Sequence, residues 1–233
     1  MLLQQKAYAE GALALCLYCG RLIDREDAEA AALLALLTPV AKSWTSEFGL
    51  IANDLAIQVH GGYGYTRDFD VEQLWRDNRL NPIHEGTTGV QALDLLGRKL
   101  LRANGEGMAV LLGRIEATAT NASQVLPAEA EALRRFWRRT EEVIATLSGS
   151  DTSAAYDDAT LFLRAFGHGV VAWLWLDQMA ALEGLGEQAR SGKRAACRYV
   201  FHQELPQAER WLDIVQAQDG VVRTTPCEVF HDA

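Results

Sequence analysis

Apolar residues recur at three- and four-residue steps along nearly the whole chain, and no stretch alternates apolar with polar positions as a strand would. The pattern predicts an all-α protein. Leu2 to Asp24 is rich in Ala and Leu, with Leu13, Leu17 and Leu22 at helical intervals. Ala28 to His60 predicts one long element, kinked or broken at Pro39, whose stripe carries Trp44, Phe48, Ile51, Leu55 and Val59. Gly61, Gly62 and Gly64 then form a bend that a helix does not tolerate cheaply. Asp70 to Leu80 predicts a short helix capped by Asp70, and Thr87 to Arg102 another, its apolar face made by Val90, Leu93, Leu96 and Leu100. These four predict an antiparallel four-helix bundle over residues 1–104.

After Asn104-Gly105-Glu106-Gly107 the pattern restarts. Met108 to Asn121, Pro127 to Leu147, Ala154 to Gln188 and Lys193 to Gln218 predict further helices, a second bundle over residues 105–220. Gly184-Leu185-Gly186 and Ser191-Gly192 bracket a break, and the tail 221–233, with Pro226, is expected to be extended or disordered.

The chain has 233 residues, 49% of them hydrophobic, enough for one large core or two small ones. With 22 Lys and Arg against 31 Asp and Glu its net charge is −9, which argues against nucleic acid or an anionic membrane as partner. The apolar run Ala30 to Leu37 is too short to span a bilayer, so a soluble, cytoplasmic protein is expected. Cys16 and Cys19 form a CxxC, but no second ligand pair accompanies it, and a redox motif would follow a strand. They read as two small packing residues facing one side of a helix. His60, His168, His202 and His231 have no ligand spacing, so no metal is expected.

The chemistry concentrates between Gln58 and Lys99, where Glu85 stands alone between a glycine bend and a helix start. A base that removes a proton beside a carbonyl needs one carboxylate held within reach of that carbon, and Gly86 next to it would let a substrate lie against the backbone. Plainer readings are also open: Glu before Gly-Thr-Thr as first-turn capping, HGGYGY as a helix terminator and Thr87 as an N-cap.

Four blocks, Gln58-Val59-His60-Gly61-Gly62-Tyr63-Gly64-Tyr65, Val71-Glu72, Arg76-Asp77 and Ile83-His84-Glu85-Gly86-Thr87 with Gln91 beyond, stand in the order and spacing of a known family. This region resembles the C-terminal helical domain of the FAD-dependent acyl-CoA dehydrogenases, most clearly over residues 1–104. The remainder resembles the helical extension of the larger bacterial members. The resemblance implies that Glu85 takes the α-proton of an acyl-CoA while a β-hydride passes to FAD, the Glu85 N–H polarising the thioester carbonyl. It further implies that Gln58, Gly61 and Gly62 touch the pyrophosphate of an FAD held mainly by a neighbouring subunit, and that Thr87 meets its adenosine side. Electron-transfer flavoprotein as acceptor and a homo-oligomer are implied as well.

The sequence departs from the family at His84, where most relatives have Tyr, and at Thr88-Gly89-Val90, where Gly89 removes a side chain that often contacts FAD. The family's N-terminal helical domain and central β domain have no counterpart here, and Met1 falls inside the second helix of the C-terminal domain. The expectation is therefore the C-terminal portion of a longer enzyme, inactive and without tightly held FAD on its own. The alternative is a noncatalytic interaction or oligomerisation module derived from that domain.

Overall fold

The fold starts from a helical hairpin. α1 (Leu2–Ile23) and α2 (Ala28–His60) are joined by a short turn in which the Asp27 carboxylate accepts the Ala30 N–H at 2.8 Å, a side-chain cap. The computed structural model describes residues 1–102 and 105–230, and no strand occurs among them. A 3₁₀ turn (Gly61–Tyr65) ends α2, α3 spans Val71–Arg79, and α4 (Thr88–Leu93) widens into a π-helix over Asp94–Leu101. There follow α5 (Glu106–Ala122), α6 (Pro127–Ser148), α7 (Thr152–Tyr156), α8 (Ala159–Gln178) and α9 (Glu187–Tyr199). A π-turn (Val200–Glu204) leads from α9 into α10 (Leu205–Ala217). Residue 104, where the first segment is expected to end, and residues 231–233 with His231 lie outside the described residues.

Several local expectations are corrected. Pro39 does not end α2, because the residues beside it, Leu36, Leu37 and Val40, are buried in the core and packing holds the helix through the lost hydrogen bond. Asp70 does not cap α3: its φ of −69° and ψ of −7° are helical, and a side-chain cap needs extended backbone. The π-helix turns the face after α4, so Val90 and Leu93 are exposed while Ala92, Leu95, Leu96 and Leu100 are buried. In α1, Leu13 and Leu17 are exposed, and the inward stripe is Ala7, Tyr8, Gly11, Leu15, Cys19 and Leu22. The segment 154–188 is not one helix, and α9 runs straight through Ser191 and Gly192. The tail is not extended throughout, since Val221–Thr224 is helical and Cys227–Phe230 forms a 3₁₀ turn.

α8 is the axis of the molecule. The stretch Ala159–Ala181 is long and apolar enough by composition to cross a membrane, yet 83% of its most apolar window is buried inside the protein. It packs on α1, α2, α4, α5, α6 and α10, so the C-terminal helices share one continuous core with α1, α2 and α4. Gly169 permits the closest of these approaches, a Cβ there standing 2.3 Å from Phe136 Cε1 of α6, and Gly167 the next, 2.5 Å from Trp44 Cδ1 of α2.

The apolar centre holds a buried polar cluster. The Glu204 carboxylate accepts from Tyr8 at 2.7 Å and faces His168 Nε2 at 3.3 Å, while the Trp44 indole N–H donates to His168 Nδ1 at 3.1 Å. With Nδ1 accepting, Nε2 carries the hydrogen and donates to Glu204, so the buried carboxylate is satisfied.

Candidate functional site

α3 stops at Arg79 and the chain turns back towards α4. The Leu80 carbonyl accepts from both the Ile83 and the His84 N–H, at 2.9 and 3.2 Å, which tightens the turn ahead of Glu85. Glu85 and Gly86 then take consecutive left-handed conformations, with φ of 51° and 98°. For Glu85 that costs roughly 1–2 kcal/mol, strain of the kind that collects at functional positions. At Gly86 the positive φ itself favours glycine, while a Cβ there would meet only the movable end of the Gln91 side chain.

The turn presents Glu85 outward. Its side chain is 86% exposed and lies 3.9 Å from His84 Nδ1. Among the described residues the N–H groups of Glu85 and Gly86 have no acceptor. An unencumbered carboxylate beside two free donors can take a proton from a carbon whose neighbouring carbonyl oxygen those donors hold.

Grooves flank the turn on both sides. One, of about 560 Å³, is walled by Phe48, Ile51, Arg79, Ile83, Thr87 and, from α8 and α10, Arg164 and Trp211. Arg164 is held by Glu47 at 3.0 Å. The other, of about 270 Å³, runs between Lys42, Thr45 and Ser46 of α2 and Asn78, Asn81, His84 and Glu85. Sequence reasoning missed Arg164 and Trp211, for which no local signal exists. It also missed Asn78 and Asn81, whose three-residue steps to His84 were visible.

The structure does not bring Gln58, Gly61 and Gly62 to Glu85. They lie beyond Ile51, which lines the larger groove with Thr87, and seven residues of helix at 1.5 Å each put Gln58 about 10 Å farther along α2. Gly61 has a φ of 61°, and a Cβ at Gly61 or Gly62 would meet nothing within 4 Å. Both are exposed, as is Gln58, whose side chain makes no hydrogen bond among the described residues. The tightly packed glycine is Gly64, where a Cβ would sit 2.4 Å from the Ile57 carbonyl oxygen. Thr87 stands at the N-cap of α4 with extended backbone, but its hydroxyl makes no capping bond. Open backbone and uncommitted amide and hydroxyl groups are what a phosphate-bearing cofactor would need.

No group of three or more His, Cys, Asp and Glu side chains among the described residues is placed to hold a metal ion. The CxxC does not face one side: Cys16 is exposed and Cys19 buried, because a three-residue step straddles the edge of the α1 interface.

Two family models match, "Acyl-CoA dehydrogenase, C-terminal domain" over residues 1–101 and "Acetyl-CoA dehydrogenase C-terminal like" over residues 111–226. The chain belongs to the acyl-CoA dehydrogenase family. It carries that family's C-terminal helical region, and the family is one of FAD-dependent oxidoreductases. It is 34% identical to the 3-methylmercaptopropionyl-CoA dehydrogenase of Ruegeria pomeroyi, over 82% of this chain and 34% of that protein. It is 30% identical to the broad-specificity linear acyl-CoA dehydrogenase FadE5 of Mycobacterium tuberculosis, over 94% of this chain and 40% of that protein. The chain thus spans little more than a third of these relatives. Its fold is that of Caenorhabditis elegans ACDH-11, solved with C11-CoA, at a TM-score of 0.75 and 22% identity over 93% of this chain and 38% of that one.

Proposed function

We propose that this chain is the C-terminal part of an acyl-CoA dehydrogenase in which Glu85 is the base that removes the α-proton of an acyl-CoA thioester. The observation that carries this reading is the strained, outward-facing Glu85 with unpartnered N–H groups at Glu85 and Gly86. Those donors would hold the thioester oxygen, and Gly86 would let the thioester lie against the backbone. FAD, when bound, accepts the β-hydride. Gln58, Gly61 and Gly62 would hold its pyrophosphate and Thr87 its adenosine side, the first three at a contact point separate from Glu85. Electron-transfer flavoprotein is the expected acceptor for the complete enzyme. The isolated chain is expected neither to retain FAD nor to turn over.

The test uses a chimera that supplies the preceding two-thirds of the Ruegeria pomeroyi relative. Acyl-CoA-dependent dye reduction that disappears in Glu85→Gln, with the flavin spectrum retained, supports the reading; undiminished turnover in that variant overturns it. Exposed Val59, Tyr63, Tyr65, Phe69, Leu74, Leu80 and Ile83 favour a second property, self-association of the chain. A monomer by light scattering at micromolar concentration would sink that.

A further inference from the structure

Three asparagines connect α2 to His84. The Asn78 amide nitrogen donates to Asn53 Oδ1 at 2.8 Å, and the Asn81 amide nitrogen donates to Asn78 Oδ1 at 2.7 Å. Each amide therefore points its N–H₂ back towards α2 and its oxygen forward, which leaves Asn81 Oδ1 facing His84 Nε2 at 3.1 Å. The Lys42 ammonium fixes the same residue by donating to the Asn81 carbonyl.

This polarity decides the state of the imidazole. An acceptor oxygen opposite Nε2 requires a hydrogen there, so Nδ1 is the nitrogen that gains and loses a proton. Nδ1 is also the atom that faces Glu85, 3.9 Å from Oε2. Lys42 and Glu85 are the charged groups that share this groove with the ring.

We propose that His84 is the proton outlet of Glu85, with Asn53, Asn78 and Asn81 as positioning residues that lock its tautomer. This rests on the reading of Glu85 as the base. After Glu85 has taken the substrate's proton, its O–H bond breaks and an N–H bond forms at His84 Nδ1, restoring the carboxylate and leaving an imidazolium. No electrons are transferred. Once product has left, the imidazolium releases a proton from Nδ1 to water, its side chain being 41% exposed. The Glu85 carboxylate is free to close the remaining distance, since it makes no hydrogen bond and stands in the open. An outlet is needed because a bound thioester and cofactor would cover the direct path from Glu85 to water.

Two measurements test this separately from the role of Glu85. In the isolated chain, ¹⁵N shifts of the His84 ring should report hydrogen at Nε2 in the neutral form, and a mixture of tautomers in Asn81→Ala. Hydrogen at Nδ1 in the unsubstituted chain would overturn the proposal whatever the activity. In the active chimera, His84→Ala should lower kcat about tenfold at low buffer with KM unchanged, and added imidazole should restore it. A His84→Ala chimera that turns over at full rate while Glu85→Gln is dead would sink the outlet and leave the base standing. Full turnover in Glu85→Gln would remove both.

Discussion

The Tyr8 hydroxyl donates to Glu204 Oε2 at 2.7 Å, a bond that joins α1 to the π-turn before α10 across 196 residues. Burial alone would raise the Glu204 pKa, but hydrogen bonds from His168, Tyr8 and Tyr199 outweigh it and hold the carboxyl below its ordinary range. Tyr8→Phe keeps the edge-on ring contacts with Trp44 and Phe48 and loses only the hydroxyl. It should cost about 2 kcal/mol in urea unfolding, as a hydrogen bond to a charged group does. No measurable loss would mean that the cluster contributes nothing net.

The same cluster sets the response to pH. Because the folded pKa of Glu204 is depressed, its contribution is present above the unfolded value, about 4.3, and is lost as pH falls through the folded value. The thermal midpoint should therefore drop more steeply at acid pH in the unsubstituted chain than in Glu204→Gln. At the other end, burial chiefly, with the Glu204 charge adding to it and a Gln4 hydrogen bond opposing, pushes the Tyr8 phenol well above its usual range. Burial and Glu204 do the same to Tyr199. Their neutral forms stabilise the fold below the unfolded tyrosine value, about 10, and that contribution is lost above it. In a spectrophotometric titration Tyr8 and Tyr199 should ionise only as the chain unfolds.

Glu85 should be dispensable for folding. Its side chain is almost wholly exposed and its φ is one that glycine adopts freely, so Glu85→Gly should leave stability unchanged or raise it by about 1 kcal/mol. A fall of the unfolding midpoint by more than that amount would mark Glu85 as a structural residue.

The glycines of the bend separate by role. Gly62→Ala meets open space and should shift stability by about 0.5 kcal/mol or less, yet weaken flavin retention in the chimera. Gly64→Ala meets the Ile57 backbone at 2.4 Å and should cost about 2 kcal/mol or more. Equal effects of the two on unfolding would refute the distinction.

Thiol labelling should resolve the four cysteines into two pairs. Cys16 and Cys227 are exposed and should react with a thiol reagent in the folded chain. Burial pushes the Cys197 thiol up to about 12, and burial with the neighbouring Cys16 pushes Cys19 up to about 11, so these should react only in denaturant. Rapid reaction of all four would show that α1 and α9 open readily.

The sequence by itself determined the helical class, the spans of α2, α3, α5 and α6 to within two residues, and the turn that carries Glu85. Each of these depends on neighbours a few positions apart: helical periodicity, a glycine that must turn, a proline that cannot donate. Family blocks read in order single out Gln58, Gly61, Gly62, Glu85, Gly86 and Thr87 as the residues of the proposed site. The exposure of Leu13, Leu17, Val90 and Leu93 was decided only by tertiary structure, because apolar periodicity does not say which face meets a partner helix, and a π-turn rotates that face midway. Also left to the tertiary structure were the Tyr8–Glu204–His168 cluster, the approach of Trp211 and Arg164 to the groove beside Thr87, and the asparagine chain from Asn53 to His84. Apart from the three-residue steps from Asn78 to His84, which the sequence shows, those pairings join different helices far apart in the chain, so they arise from how the helices pack and leave no mark in the local pattern.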